Sequence, residues 1–403
     1  MSYSERAPVD EERRRLLHER AACPREHFAA LRAQGPTTPL LENDTITCLL
    51  GRRDVEDALK NWQDFTSDFG GVMGSEEPLI PLNVDPPLHA KYRRLLDPYF
   101  GPRRMKALQP AVEKHTNDLI DAFIDRGGCD FSQEVAVPLP CSTFLSLFGL
   151  PLEQRDALVR WKDIMIRPDV VAEDPSQAQQ LQLETAMEIY GRFTEEMADR
   201  RANPRDDLIT YLTQAEVEGQ KLTDSEIVRI CFLQLSAGLD TVTISLECIF
   251  AFLAGHDDAR GMLVEEPGSE VDLIEELLRW ETPVQAVGRQ ATRDITLRDG
   301  TVIPKGTDVN LMLASANVDP DGLAGADEVD VRRGEMRNFA FGGGPHRCLG
   351  SNLARMELRT VVRVWHERIP EYSLQPGTDV EWNSSLLRGV DHLRLAWPAG
   401  ATS

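Results

Sequence analysis

Near the C-terminus a cysteine stands behind a run of glycines, Phe341-Gly342-Gly343-Gly344-Pro345-His346-Arg347-Cys348-Leu349-Gly350, and the helical pattern Ser351-Asn352-Leu353-Ala354-Arg355-Met356-Glu357-Leu358 follows at once. A cysteine just ahead of a helix faces free backbone N–H groups and the positive end of the helix dipole, and both stabilise a thiolate. Three readings compete. A phosphate-cradling loop needs Gly-Lys-Ser/Thr at its end, or a preceding strand with Gly-x-Gly-x-x-Gly spacing, and neither is present. A zinc site needs further Cys or His ligands, yet the nearest other cysteine along the chain is Cys248. A thiol nucleophile needs a base, and His346 stands two residues away. The other six cysteines (Cys23, Cys48, Cys129, Cys141, Cys231, Cys248) form no Cys-x-x-Cys pair and read as small buried hydrophobes in a reducing compartment.

A second segment carries unusual residues inside an apolar helix. Thr223-Asp224-Ser225-Glu226 is a capping box and Gly255 a stop signal, which predicts a rod of roughly 31 residues and about 47 Å. Its middle reads Ala237-Gly238-Leu239-Asp240-Thr241. Glycine in a helix costs about 1 kcal/mol relative to alanine, and a buried carboxylate costs more unless it is partnered. Ala237, Gly238 and Thr241 share one face while Asp240 points about 100° away. A tight helix crossing at Gly238 and a functional site explain the glycine equally well at this point.

Together these segments resemble the cytochrome P-450 superfamily. The cysteine loop matches all six fixed positions of Phe-Gly-x-Gly-x-His-x-Cys-x-Gly, Glu276-Leu277-Leu278-Arg279 matches the Glu-x-x-Arg helix, and Ala237 to Thr241 match the oxygen-binding helix. Asp85-Pro86-Pro87 with His89 and Arg93, and Ala316-Asn317-Val318-Asp319-Pro320, are similar to segments of bacterial members. The resemblance implies a mainly α fold of about a dozen helices with small peripheral sheets. A haem would lie buried between the long central helix and the cysteine loop. Cys348 would be the axial thiolate of haem b, with Phe341 shielding the sulfur and Gly342 and Gly350 shaping the loop. Arg93, Arg289 and His346, with His89, would hold the propionates. Thr241 would hydrogen-bond the activated oxygen, Asp240 would feed protons, and Ala237 and Gly238 would leave room for dioxygen. Glu276 and Arg279 would form a structural pair. Asn338 stands where many relatives have histidine, so Arg333 is the expected third member of that network.

The elements that must position these groups read as one domain over 1–403, with a short polar segment at 1–20. Helical spacing covers 109–126, 152–166, 176–201, 223–254, 271–280 and 350–368. Strands are expected at 45–50 and around Leu393, Leu395 and Trp397, and a hairpin from 301–303 to 308–313 across Pro304-Lys305-Gly306. A net charge of −22 argues against nucleic acid and anionic lipid as partners. No run of 18 or more apolar residues and no signal-peptide core is evident, so a cytoplasmic, monomeric protein off the membrane is expected.

The resemblance further implies a haem-thiolate monooxygenase that takes electrons from NAD(P)H through a ferredoxin reductase and a ferredoxin. Oxidative coupling, peroxide-driven oxidation and a non-catalytic haem sensor or carrier are the alternatives. Two basic stretches break the acidic background: Lys91 to Lys106, with six cations against Asp97, and Arg332 to Arg368, with eight arginines against Glu335, Glu357 and Glu367. They are expected to form a docking patch, with Arg104 and Arg359 as its test positions. Leu233, Ala237, Val284, Val287 and Leu386 are candidates for an apolar pocket suited to a terpenoid, steroid, fatty acid or polyketide, as are the stretches 70–82 and 164–171. Arg388 could serve as a polar anchor in that pocket, but a lone Arg near a loop reads more often as a surface charge.

Overall fold

The long apolar periodicities become helices. The computed structural model describes residues 24–39, 46–69, 77–166, 168, 171–172, 174–334, 337–384 and 387–398. Among these are thirteen α-helices: α1 (Pro24–Arg32), α2 (Arg52–Lys60), α3 (Leu88–Leu96), α4 (Pro102–Asp121), α5 (Pro138–Phe148), α6 (Arg155–Ile166), α7 (Pro175–Ala202), α8 (Leu208–Gln214), α9 (Asp224–Ala254), α10 (Asp257–Glu265), α11 (Glu270–Glu281), α12 (Leu313–Asn317) and α13 (Ser351–Arg368). The expected segment 1–20, Cys23 and Leu386 lie outside the described residues, as do parts of 70–82 and 164–171.

The helix α9 organises the rest. Thr223 accepts from the Glu226 N–H while the Glu226 carboxylate accepts from Thr223 N–H, completing the capping box, and Gly255 ends the helix. Its first half, Ile227 to Leu239, packs into a core built with α5, α6, α7 and α8. From Val242 to Ala254 it packs into a second core with α4, α11 and α13. Asp240 and Thr241 fall at the junction. By length and hydropathy α9 is apolar enough to cross a membrane, contrary to the expectation that no stretch is, but 72% of its apolar window is buried inside the protein. Burial in two cores accounts for the apolarity.

The sheets are small and peripheral. A five-stranded sheet runs β1 (Thr37–Pro39), β2 (Thr47–Leu49), β10 (Asp308–Leu311), β7 (Val287–Ala291) and β3 (Phe65–Thr66), with β10 parallel to β2 and antiparallel to β7. A three-stranded sheet places β14 (Arg394–Ala396) between β11 (Ser373–Leu374) and β4 (Gly128–Asp130). The pairs β5 (Glu216–Val217) with β6 (Gln220–Lys221), β8 (Ile295–Thr296) with β9 (Val302–Ile303), and β12 (Trp382–Ser384) with β13 (Arg388–Val390) are separate.

The expected hairpin between 301–303 and 308–313 does not form: β9 pairs with β8, and β10 joins the five-stranded sheet. Gly306, at φ +81°, donates its N–H to the Ala291 carbonyl, so the turn swings the chain away from β9 and lays Val309 and Leu311 in the third core. Two further differences concern helices. α4 begins at Pro102 and runs through Pro110, earlier than spacing indicated. α5, with every side chain buried except Ser146, shows no polar face from which a period could be read.

Candidate active site

The cysteine loop is held by its own backbone and by α2. Cys348 N–H donates to the Phe341 carbonyl at 2.9 Å, and Gly342 N–H to the Phe339 carbonyl at 2.8 Å. Gly342 (φ +65°) and Gly344 (φ +61°) take left-handed backbone. A Cβ on Gly344 would sit 2.0 Å from the Leu59 carbonyl oxygen, so this glycine is required by the approach of α2. Phe341 lies under Arg355, whose Cζ is 4.3 Å from the ring centre and whose guanidinium is clamped by Glu275.

Cys348 is exposed while Cys48, Cys129, Cys141, Cys231 and Cys248 are buried. Although part of its surface is open, desolvation by the surrounding protein pushes the thiol up, against the Gly350 N–H and the guanidiniums of Arg93, Arg355 and Arg347. Helix end and arginines alone therefore do not secure the thiolate; a cation bound at sulfur would. Among the described residues no three His, Cys, Asp or Glu side chains gather as a metal set, which leaves the zinc reading without ligands. The nucleophile reading is left with a weak base: burial and Arg289 push His346 down to about 3, and its ring packs on His89 with centres 4.2 Å apart.

Beside the loop, donors converge from three elements: His89 and Arg93 on α3, Arg289 on β7, and His346 in the loop. His346 is pushed down to about 3 by burial and by Arg289, and His89 to about 4 by burial and Arg93, so both rings are neutral. Arg289 is buried and depressed to about 10 by that burial, with Asp85 opposing. Asp97 takes Arg93 Nε at 2.7 Å, and the Asp85 carboxylate accepts from Thr66 and the Ser67 N–H. His346 Nε2 is buried without a hydrogen-bond partner. Asp85 Oδ1 stands 3.6 Å from that nitrogen, beyond hydrogen-bond reach, so among the described residues the buried guanidinium and the imidazole still lack an accepting anion at close range. Two carboxylates of a haem, on the side of an accessible cysteine, fit this donor set.

The free face of α9 fits the same group. Beyond its first turn α9 exposes only Gly238, and a Cβ built there meets no atom within 4 Å among the described residues. No helix crosses at Gly238, which removes the packing explanation. Ala237 and Thr241 are the part-buried neighbours on that face, and Thr241 Oγ1 donates to the Ala237 carbonyl at 2.9 Å. Asp240 is buried the other way. Its Oδ1 accepts from Lys162 Nζ on α6 at 3.1 Å, and its Oδ2 has no partner. Lys162 is itself buried and also meets Asp163 at 2.7 Å. No motif announced Lys162; the one signal was that a buried Asp240 had to have a counter-charge.

Glu276 and Arg279 form the expected pair, with Nε to Oε2 at 2.8 Å and Nη2 to Oε1 at 2.7 Å. Arg279 also donates to the carbonyls of Asn317, Ala326 and Glu328. Arg333 Nε reaches Glu276 Oε1 at 3.3 Å and becomes the third member, while Asn338 merely accepts from the Ala340 N–H.

The pocket candidates are only partly gathered. Leu233 and Ala237 belong to the first core, Val287 to the third, and Val284 bridges Leu387. Arg388 is the clear correction: it is buried, not on the surface, and paired with Glu281.

Comparison with known proteins bears on this geometry. A family model described as Cytochrome P450 matches residues 154–269 and 271–380. "Probable cytochrome P450 127A1" of Sinorhizobium fredii is 34% identical over 349 residues, 86% of this chain and 82% of the relative. A steroid C26-monooxygenase of Mycolicibacterium smegmatis is 32% identical over 87% of this chain and 86% of its own length. Among solved structures, CYP109E1 from Bacillus megaterium in complex with corticosterone superposes with a TM-score of 0.86 at 28% identity, covering 94% of this chain and 99% of that one.

Proposed function

The chain belongs to the cytochrome P450 family as a haem-thiolate monooxygenase, and from that premise we propose that it hydroxylates or epoxidises an apolar small molecule with electrons passed from NAD(P)H through a ferredoxin reductase and a ferredoxin. The balanced reaction takes substrate C–H, dioxygen, two electrons and two protons to C–OH and water. The haem, proposed to be haem b, supplies the binding and activation of dioxygen. Cys348 would ligate the iron, and His89, Arg93, Arg289 and His346 would hold the propionates, a reading that His346 Nε2, buried without a hydrogen-bond partner among the described residues, supports most directly. Gly238 and Ala237 would leave the α9 face open for dioxygen, and Gly342, Gly350 and Phe341 would fix the position of the Cys348 sulfur.

Thr241 and Asp240 then manage protons. The Thr241 hydroxyl faces the free side of α9 and could turn from its bond with the Ala237 carbonyl to donate a hydrogen bond into the space beside Gly238. Asp240 holds a proton-accepting Oδ2 without a partner, and Lys162 bridges it to the part-exposed Asp163. The apolar candidates Leu233, Val284 and Val287 favour a hydrophobic substrate, and a steroid is the first class to try, given what the two relatives' names state. The protein is proposed to be cytoplasmic and monomeric.

Reconstitution with a surrogate ferredoxin pair and testosterone tests this. NAD(P)H and oxygen consumed in step with hydroxylated product is the expected result. Oxidation that proceeds with peroxide but never with the ferredoxin pair would overturn the electron route, and Cys348→Ala that keeps the red-shifted carbon monoxide band of a haem thiolate would overturn the ligand.

A further inference from the structure

The hairpin β12–β13 contains a buried charge that the monooxygenase motifs do not use. Arg388 is 1% exposed and its Nη1 donates to Glu281, which is 4% exposed at the end of α11. The Arg388 Cζ lies 3.6 Å over the Trp382 ring. Its own backbone N–H donates to the Pro283 carbonyl at 2.9 Å, and the next contact along is the bridge between Leu387 and Val284. Glu281 also stands 4.0 Å from Arg25 of α1.

The same hairpin is pressed onto α9. Val390 N–H donates to Glu247 Oε2 at 3.1 Å, and Cys248 Sγ donates to the Arg388 carbonyl at 3.5 Å. A Cβ on Gly389 would come within 3.0 Å of Ile244 Cγ1, one turn beyond Thr241. One ion pair thus ties α11, the chain leaving it, the hairpin and the reaction helix. An apolar pair of similar volume would stabilise such a junction as well or better, so what the charges add is direction and register.

We propose that Glu281 and Arg388 are a positioning pair for ligand selection: by holding the Val284–Leu387 bridge beside the hairpin whose Gly389 packs on Ile244, one turn from Thr241 on α9, they set which ligand shapes would fit at the haem site. This rests on the reading of Val284 as substrate-facing. Substrate identity is not needed to test it, because a nitrogen heterocycle that binds the haem iron probes the space directly. Imidazole reports on the iron alone, whereas 4-phenylimidazole must also fit the wall.

The experiment titrates both probes by the shift of the Soret band in holoenzyme of three kinds: wild type, Arg388→Lys, and the double variant Glu281→Met with Arg388→Met, which removes both charges of the pair together. The ratio of the two Kd values is expected to change tenfold or more in the double variant and threefold or more in Arg388→Lys, with the imidazole Kd alone held within twofold. An unchanged ratio in either variant that keeps the thiolate carbon monoxide band overturns the proposal. A wild-type protein lacking that band would defeat the haem-thiolate reading instead, before any variant is compared.

Discussion

Lys162 and Glu357 are the residues whose chemistry the motifs left out. Lys162 is buried, which alone would lower its pKa, yet Asp240 and Asp163 outweigh that and raise it, so the ammonium is secure. Removing one partner of a buried pair costs about 3–5 kcal/mol because the other charge is stranded. Lys162→Met is therefore expected to lose roughly that much in urea unfolding, and to lower kcat more than KM, whereas Lys162→Arg keeps most of both. Equal loss of stability with unchanged kcat would make Lys162 structural only. Glu357 on α13 is pushed up to about 8 by complete burial; Thr143 faces it closely enough to temper the shift but makes no hydrogen bond with it. The folded state then holds a proton that the unfolded carboxyl, titrating at about 4.3, has released, so stability must fall as pH rises from about 4.5 to about 8. The fall is on the order of 4 kcal/mol. Glu357→Gln should flatten it, as measured by denaturant unfolding at pH 5 and pH 8. Asp240 was legible because a carboxylate inside an apolar helix needs a reason, but its partner lies 78 positions away and no local pattern could locate it.

At the scale of elements, the legible parts were those whose signal is local. The capping box and Gly255 bound α9, and three-and-four spacing found α6, α7, α11 and α13 to within a few residues. Arg333 was expected as the third partner because Asn338 stands where many relatives have histidine, and its Nε does reach Glu276 Oε1 at 3.3 Å. The hairpin failed because strand alternation says nothing about which strand lies alongside, and the sheet that claimed β10 draws its neighbours from residues 47–49 and 287–291. Gly238 remained ambiguous until its surroundings were known, since an exposed and a crowded glycine read alike in sequence. Its open face gives a test that separates space for a ligand from packing. Gly238→Ala fills no contact in the protein and improves helix propensity, so the haem-free protein should gain about 1 kcal/mol. The same methyl should weaken carbon monoxide binding to the reduced holoenzyme severalfold, read by titration of the Soret band. A crowded helix crossing would have given the opposite sign in the first measurement.

For the whole molecule the question is whether a chain of net −22 could attract the ferredoxin proposed as its donor. The two basic stretches are less free than their composition indicated. Arg104 is held by both Asp206 oxygens, Arg355 and Arg359 share Glu275, Arg363 lies between Glu113 and Glu367, and Arg368 meets Asp121. Arg104 and Arg359 are therefore poor test positions, because reversing either would break an internal pair as well as alter the surface. Arg94, Arg103, Lys106 and Arg347 are exposed and have no carboxylate within ion-pair distance among the described residues. All four lie on α3, the start of α4 and the cysteine loop, and Arg93 joins α3 to that loop through the Arg347 carbonyl. A local positive field on the cysteine side of a negative molecule acts mainly on encounter, which is screened beyond about 8–10 Å at ordinary ionic strength. Raising salt from 50 to 500 mM should thus slow reduction by a ferredoxin at subsaturating concentration by about tenfold, and Arg103→Glu with Lys106→Glu should reproduce that loss at low salt while leaving imidazole affinity unchanged. Stopped-flow reduction under carbon monoxide reads the rate, and a double variant reduced at the wild-type rate at 50 mM salt would place the donor elsewhere.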